Sequence, residues 1–545
     1  MQFKQSQNQS SIANIESQLD IAWSYINQKN VAQAKQACHV VNTQYPSSAD
    51  GWYATSFLSL QLKEFTHALN TADKMLTLEP NEPQWLIHKI NILLNVDKQA
   101  ATVLSEKLKK QPYSQFKNII DCANLFTKLA DYSQAQFYYQ QAIKQINEAN
   151  QPKAASQLYF NLASVERYLG NINHAETLLN KAISLNPNDT EAYFLRSSLK
   201  KQQTNNNHIS ELTLRLQNQQ LSPLAKTQLY YARAKEQEDI ADYTNSFNSL
   251  QQGANVRRAN MRYAPITDIE TLKQIATTYN SDFFKTHETA PRCENSQAIF
   301  ILGLPRTGST LVERIISQHD QVVNAGELND FALQMISEVK THTHTHTPPQ
   351  SKAELVKLSQ HIDFKSLGES YINQARPEIT THQCFIDKLP LNSLYIGLIH
   401  QALPNAKIIH VTRHPMDTCY AMYKQLFTHG YPFSYQLDEL AHYYVAHHQL
   451  MQHWHKILPG VIHQIAYEDL ISDVEQHAKK LIKYCALDWQ AQCCDFDKNI
   501  APSTTASATQ VRQKIYQSSK GKWQHFANEL SPIQKILEQA GICCD

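Results

Sequence analysis

Glycine is scarce in this chain, 12 of 545 residues, so a short stretch that gathers several of them marks backbone geometry that other residues disfavour. Long apolar runs are missing: none approaches the roughly 18 residues of a membrane helix. The opening Met1-Gln2-Phe3-Lys4-Gln5-Ser6-Gln7 lacks the apolar core of a secretion signal, so no membrane partner and a cytoplasmic location are expected. Neither sign of charge is in excess, with Lys plus Arg at 50 and Asp plus Glu at 49, which removes any global electrostatic reason to bind nucleic acid or an anionic surface. No Cys-x-x-Cys pair occurs among the ten cysteines, and Cys493-Cys494 and Cys543-Cys544 are adjacent pairs of poor metal-binding geometry; thiols are expected rather than a disulfide framework.

What is present concentrates between residues 298 and 327. Ile299 to Leu302 has the length of a buried strand, Gly303 to Gly308 is turn-forming, and Leu311, Ile315 and Ile316 have helix spacing, before the segment closes on Ala325-Gly326-Glu327. A strand, turn and helix of this kind aim backbone N–H groups and the positive end of the helix dipole at one point, which suits phosphate or sulfate. The nucleotide-hydrolase loop, Gly-x4-Gly-Lys-Ser/Thr, shares the two glycines but not the lysine. Ser309 stands in its place, and the cation comes earlier, at Arg306. Thr307, Gly308, Ser309 and Thr310 complete the candidate cradle. A strand–helix corner without a ligand would account for the glycines but not for the arginine and hydroxyls.

Ahead of residue 290 the chain repeats itself. Ala22, Ala34 and Pro46 are echoed by Ser56, Ala68 and Pro80 at steps of 34 residues, the period of tetratricopeptide (TPR) helix pairs. A further copy carries Ala163, Gly170, Ala175, Ala182 and Pro187; Ala123 and Ala135 mark another, Tyr230 to Arg258 a terminal one, and residues 85–115 a degraded one. Stacked pairs expose a concave face, which suits a peptide or protein partner or self-association; a purely stabilising extension is the alternative. The run Thr341-His342-Thr343-His344-Thr345-His346-Thr347 precedes Pro348-Pro349 and has no carboxylate or cysteine at ligand spacing, so it is read as a loop and no metal is expected.

Leu304-Pro305-Arg306-Thr307-Gly308-Ser309-Thr310 resembles the 5′-phosphosulfate loop of sulfotransferases that use 3′-phosphoadenosine 5′-phosphosulfate (PAPS), and its arginine form is similar to the protein-tyrosine sulfotransferase branch. Leu403 to Pro415, a predicted strand ending in Arg413 and leading into a helix over Asp417 to Phe427, resembles the family's 3′-phosphate site. Between them, Asp387-Lys388-Leu389-Pro390 resembles the lysine-proline motif whose lysine reaches the transferred group. Tyr467-Glu468-Asp469-Leu470, after a predicted strand Val461 to Ile465, and Ser507-Ala508-Thr509-Gln510-Val511, ahead of Lys514, Lys520, Lys522 and Trp523, are similar to segments surrounding the nucleotide. The resemblance covers residues 296 to 530, and the whole chain resembles a bacterial TPR-domain sulfotransferase.

The resemblance implies a TPR α-solenoid over residues 1–258, a connecting segment 259–295, and a P-loop-like α/β transferase domain with a central parallel sheet over 296–545. It assigns Arg306, Thr307, Gly308, Ser309, Thr310, Arg413, Tyr467, Ser507 and Lys522 to the donor PAPS, and Glu327, Lys388 and Arg306 to catalysis, with Glu327 as general base. Two departures stand out: Ala421 occupies the position eight after Arg413 where a serine is usual, and Leu328 follows Glu327 where related animal enzymes carry a second acid. A protein tyrosine is the preferred acceptor, its phenol, with a reference pKa near 10, needing a base. A carbohydrate or small metabolite is the alternative acceptor, and a non-catalytic TPR adaptor the alternative function.

Overall fold

The computed structural model describes the backbone of residues 2–342, 349–375, 383–428, 430–495 and 520–545, with side chains from residue 14 onward. Ser507 and most of the Thr-His tract lie outside these residues. By contact density the chain forms two compact units, Met1–Val165 and Glu166–Asp545. That division follows compactness, whereas the sequence-based division near residue 258 follows the repeat register.

The first unit is built from α1 (Gln2–Asn27), α2 (Val31–Gln44), α3 (Ala49–Gln61), α4 (Phe65–Leu78), α5 (Pro83–Leu93), α6 (Lys98–Ser105), α7 (Phe116–Lys128), α8 (Tyr132–Gln145) and the start of α9 (Pro152–Leu169). Consecutive helices pack as pairs, and Ala22, Ala34, Ser56, Ala68, Ala123 and Ala135 are all fully buried, as expected where backbones approach closely. Ser56 adds a polar tie, its hydroxyl donating to the Ala68 carbonyl at 2.8 Å. The degraded repeat is a shortened pair, α5 with α6, finished by a 3-10 turn at Glu106–Leu108. Turns between paired helices carry left-handed residues at Lys29 and Lys63, again one repeat apart, and at Ala130.

The second unit begins with α10 (Ile172–Leu185), α11 (Thr190–Ser198), α12 (Ile209–Leu216), α13 (Pro223–Asp239), α14 (Tyr243–Ala259), α15 (Pro265–Thr278) and α16 (Ser281–Thr286). The α/β part then runs β1 (Ala298–Leu302), α17 (Ser309–Ile316), β2 (Val322–Asn324), α18 (Asp330–His342), α19 (Lys352–Leu358), α20 (Phe364–Ala375), β3 (Cys384–Lys388), α21 (Ile396–Ala402), β4 (Lys407–Thr412), α22 (Pro415–Tyr423), α23 (Leu437–Ile457), β5 (Ile462–Ala466), α24 (Tyr467–Ser472), α25 (Val474–Tyr484) and α26 (Ser531–Gln539). The five strands pair in parallel in the order β2-β3-β1-β4-β5. β1 is buried along its whole length because helices cover both faces: Ala298, Phe300 and Leu302 join one core, and Ile299 and Ile301 the other, with Val312, Ile315 and Leu481. Its neighbours β3 and β4 lie on opposite sides, so the chain leaving β1 emerges at the point where strand order reverses, the place where open parallel sheets form a crevice.

Two sequence expectations shift. The helix after Arg413 begins at Pro415, with proline at its first position, and ends at Tyr423 rather than Phe427. Phe427 has left the helix because its backbone N–H and carbonyl are both bonded to the Tyr435 hydroxyl. α18 extends through His342, so the first residues of the Thr-His tract are helical rather than loop. All ten cysteines are free thiols.

The glycine opening the β1–α17 turn is tightly constrained. Gly303 has φ +141°, and a Cβ there would collide with the Val411 carbonyl of β4; Gly326, at φ +81°, has nothing within 4 Å of such an atom. Gly303→Ala should therefore lower stability by at least about 2 kcal/mol, and Gly326→Ala by about 1 kcal/mol, the cost of the backbone conformation alone. Urea unfolding of the two variants beside the parent chain measures the difference.

Candidate anion-binding and transfer site

The turn from Gly303 to Gly308 leads directly into α17. Arg306 holds a left-handed backbone (φ +69°), uncommon for a non-glycine residue, and Gly308 (φ +101°) caps the helix. Ser309 and Thr310 begin α17, where amides lack intrahelical acceptors. The Thr307 hydroxyl is turned inward to donate to the Leu304 carbonyl at 2.8 Å, so it braces the turn from inside.

Arg413 follows the end of β4 and closes on this turn. Its Nη1 donates to the Arg306 carbonyl at 3.1 Å, and its guanidinium lies 5.2 Å from the centre of the Tyr467 ring. Tyr467 in turn fills the space beside Gly308, where an added Cβ would approach the Tyr467 ring carbon Cδ2 to 2.5 Å. Arg306, Gly308, Arg413 and Tyr467 are thus one assembly. The generic alternative for Arg413, an ion pair with Asp417, is only a 3.9 Å contact. Both Asp417 oxygens instead hold the C-terminal segment, accepting from the backbone N–H of Gly521 at 2.7 Å and of Trp523 at 3.3 Å. Trp523 stacks on His414, with ring planes 9° apart. Lys522 is thereby brought to the same side as α22, with its ammonium 3.7 Å from Glu238 of α13. Ala421 is buried on α22.

Across β1, register sets Lys388 beside Ile301, just before the turn. Its side chain is buried, at 3% exposure, and forms an ion pair with Glu327, which is 49% exposed. The pairing follows from local geometry: the Asn324 side chain accepts from the Gly326 N–H at 2.8 Å, Gly326 turns through positive φ, and the Lys388 N–H donates to the Gly326 carbonyl at 2.9 Å. A buried ammonium thus meets a carboxylate open to solvent at the C-terminal edge of the sheet. Such a pair can supply a cation to one partner and accept a proton from another.

Two further carboxyls were not legible as site residues. Glu313 on α17 is buried, lies 3.8 Å from the Lys388 ammonium and accepts from the Asn324 amide. Burial raises its carboxyl above the usual range, partly offset by Lys388 and Asn324. The signal available in sequence was a lone acid in a helix whose other residues are all buried as well. Asp387 accepts from the Tyr371 hydroxyl at 2.9 Å and from the Leu328 N–H at 3.3 Å, so it anchors the segment that carries Glu327. The missing second acid after Glu327 therefore has a spatial neighbour in Glu313, supplied by a different element.

Residues 298–491 match the sulfotransferase family, and residues 16–48 and 156–189 match tetratricopeptide repeats. An uncharacterized protein of Aquifex aeolicus (strain VF5) is 34% identical over 249 residues, 45% of this chain and 33% of that protein. The chain spans about a third of the length of this curated relative. Among solved structures, the sulfotransferase domain from the curacin biosynthetic pathway is 17% identical, with 47% of this chain and 100% of that one covered and a TM-score of 0.31. PilW, a widely conserved type IV pilus biogenesis factor, is 14% identical, with 46% and 94% covered and a TM-score of 0.30. The chain carries a sulfotransferase-family domain together with tetratricopeptide repeats. Among the described residues no helix is long and apolar enough to cross a membrane.

Asp387 gives the site a pH signature. Burial pushes its carboxyl from 3.8 up to about 7, against the hydrogen bonds from Tyr371 and Leu328. The folded chain keeps this proton where the unfolded chain has lost it, so the group's contribution to stability is complete below the ordinary value and is lost as pH rises through the folded one. Stability should fall between about pH 4 and pH 7 by up to about 1.4 kcal/mol per pH unit from this group, and Asp387→Asn should flatten that slope. Urea unfolding at a series of pH values reads it.

Proposed function

We propose that the domain assigned to residues 296–545 moves a sulfuryl group from PAPS to an acceptor hydroxyl, a protein tyrosine foremost, with residues 1–258 acting as a partner-selecting TPR solenoid joined through 259–295. The observation that carries the reading is the Glu327–Lys388 ion pair next to a glycine-bounded, arginine-bearing turn at a helix start. A family match over residues 298–491 supports it. A cytoplasmic setting, in which the ten cysteines stay reduced, belongs to the same reading.

The residues fit a doubly anionic donor. Arg306, the amides of Thr307, Gly308, Ser309 and Thr310 and the hydroxyls of Ser309 and Thr310 would hold the 5′-phosphosulfate; Arg413, Tyr467, Ser507 and Lys522 would hold the adenosine 3′-phosphate end. The space beside Gly308, already filled by Tyr467, favours close approach of backbone over side chain. PAPS supplies the activated sulfuryl group when bound. Lys388 presents its ammonium from a buried position, where low dielectric strengthens its effect on developing negative charge. Glu327 takes the hydroxyl proton of the acceptor on a carboxylate oxygen. Its solvent-facing side allows an acceptor to approach, and Asp387 and Asn324 fix the segment that presents it. In-line positioning and charge stabilisation are what such a transfer needs most. Ala421 is the feature that favours the adaptor alternative, since it removes a hydroxyl from the 3′-phosphate end.

Calorimetric titration with 3′-phosphoadenosine 5′-phosphate, the desulfated donor product, decides between these readings. Micromolar binding is expected, weakened about 10-fold to 100-fold by Arg306→Ala or Arg413→Ala, the usual worth of a charge-assisted hydrogen bond. Glu327→Gln should keep that affinity while transfer from labelled PAPS to tyrosine peptides drops by about 100-fold or more. Absence of binding by the parent chain would put the adaptor first.

A further inference from the structure

The C-terminal end of α22 docks on α13, the first helix of the terminal repeat pair. The Tyr231 hydroxyl donates to the Tyr423 carbonyl at 3.2 Å, and both side chains are buried. Two turns further along α13, Glu238 accepts from the Lys424 ammonium at 2.7 and 3.0 Å and from the Tyr420 hydroxyl at 3.0 Å. Lys522, tied down by Asp417 through its neighbours Gly521 and Trp523, reaches the same carboxylate more loosely, at 3.7 Å. Burial alone would raise the Glu238 carboxyl, but the charges of Lys424 and Lys522 and the bonds from Lys424 and Tyr420 hold it below the usual range. Lys424 is lowered by its own burial and by the charges of Lys522 and Arg306, partly offset by Glu238. Four groups thus share one field: the cations Arg306, Lys424 and Lys522 and the carboxylate Glu238.

We propose that Glu238, on the solenoid helix α13, is the counter-charge of a phosphate-monoester subsite formed by Lys424 and Lys522, and that an arriving phosphate takes Lys522 from it while Lys424 stays paired. The asymmetry of the cluster sets this division. Lys424 is bonded to both carboxylate oxygens and is 25% exposed, whereas Lys522 makes one long contact and is 41% exposed. Lys424 directly follows α22, the helix that carries Ala421, and Lys522 is tied to that helix through Asp417, so the subsite adds positive charge where the usual serine hydroxyl is missing. It also gives the repeat array a direct electrostatic hold on donor affinity, because Glu238 repels the anion that the lysines attract. The inference rests on the donor-site reading above.

The test uses the full chain and 3′-phosphoadenosine 5′-phosphate in calorimetry over a range of salt concentrations. Glu238→Gln is expected to bind about threefold to tenfold more tightly than the parent, with a steeper loss of affinity as salt rises, because a like charge is gone from the subsite. Glu238→Asp, which keeps the charge, is expected to stay within about twofold of the parent. Lys522→Ala is expected to weaken binding about tenfold in the parent background, and more in the Glu238→Gln background, where Lys522 is no longer shared. Unchanged or weaker binding by a folded Glu238→Gln chain overturns the proposal. Should that variant fail to fold, a Lys522→Ala affinity equal to the parent's overturns it instead. No binding by the parent chain removes the donor-site reading itself and this proposal with it, an outcome distinct from parent binding that Glu238→Gln leaves unchanged.

Discussion

Lys388 is an ammonium taken almost fully out of water, and much of the α/β part is arranged around keeping it there. An unpaired buried charge costs several kcal/mol, so the position is tenable only with carboxylates in reach. Three elements meet that requirement: β3 carries the lysine at its C-terminal end, α17 brings Glu313 from beneath, and the segment after β2 brings Glu327 from the solvent side. One of these elements, α17, directly follows the anion-directed turn. Placing Lys388 therefore constrains where the turn, the helix start and the candidate base lie with respect to one another.

The same arrangement makes the loss of a second acid after Glu327 intelligible. The position next in sequence is a buried core site held by Leu328, where a carboxylate would be costly; Glu313 instead supplies a second, buried carboxylate 3.8 Å from the lysine. Burial biases Glu313 toward its neutral form and leaves Glu327 as the partner open to solvent. Asp387, also biased toward its protonated form, contributes by holding the Leu328 N–H rather than by facing solvent. Three acids of one small region are thereby given different environments, and environment rather than residue type separates what each can do.

The helices α10 to α16, ahead of β1, belong to the same compact unit as the sheet. α13 and α14 share an apolar core with α22, α23 and α26, and Phe247 and Tyr243 pack against Phe526 from the C-terminal segment. Arg258 at the end of α14 pairs with Glu439 of α23, with its guanidinium donating to both oxygens. Helices that share a core with the sheet domain in this way are not a detachable appendage.

The sequence by itself determined much of what depends on neighbours along the chain. The helix pairs followed from alanines and serines one repeat apart, the anion-directed turn from two glycines around Arg306, and three of the strands from the short apolar runs Ile299 to Leu302, the run ending at Arg413 and Val461 to Ile465. Sterics and periodicity act over a few residues, so these signals survive without a fold. Only the tertiary structure decided which partners the charges meet: Glu327 the Lys388 ammonium across 61 residues, Asp417 the Gly521 N–H across 104, and Glu238 the Lys424 ammonium across 186. Those pairings depend on strand order, helix packing and the direction each side chain takes from its backbone. None of these leaves a local trace, and so the roles of Glu313, Asp387 and Glu238 became visible only once the chain was folded.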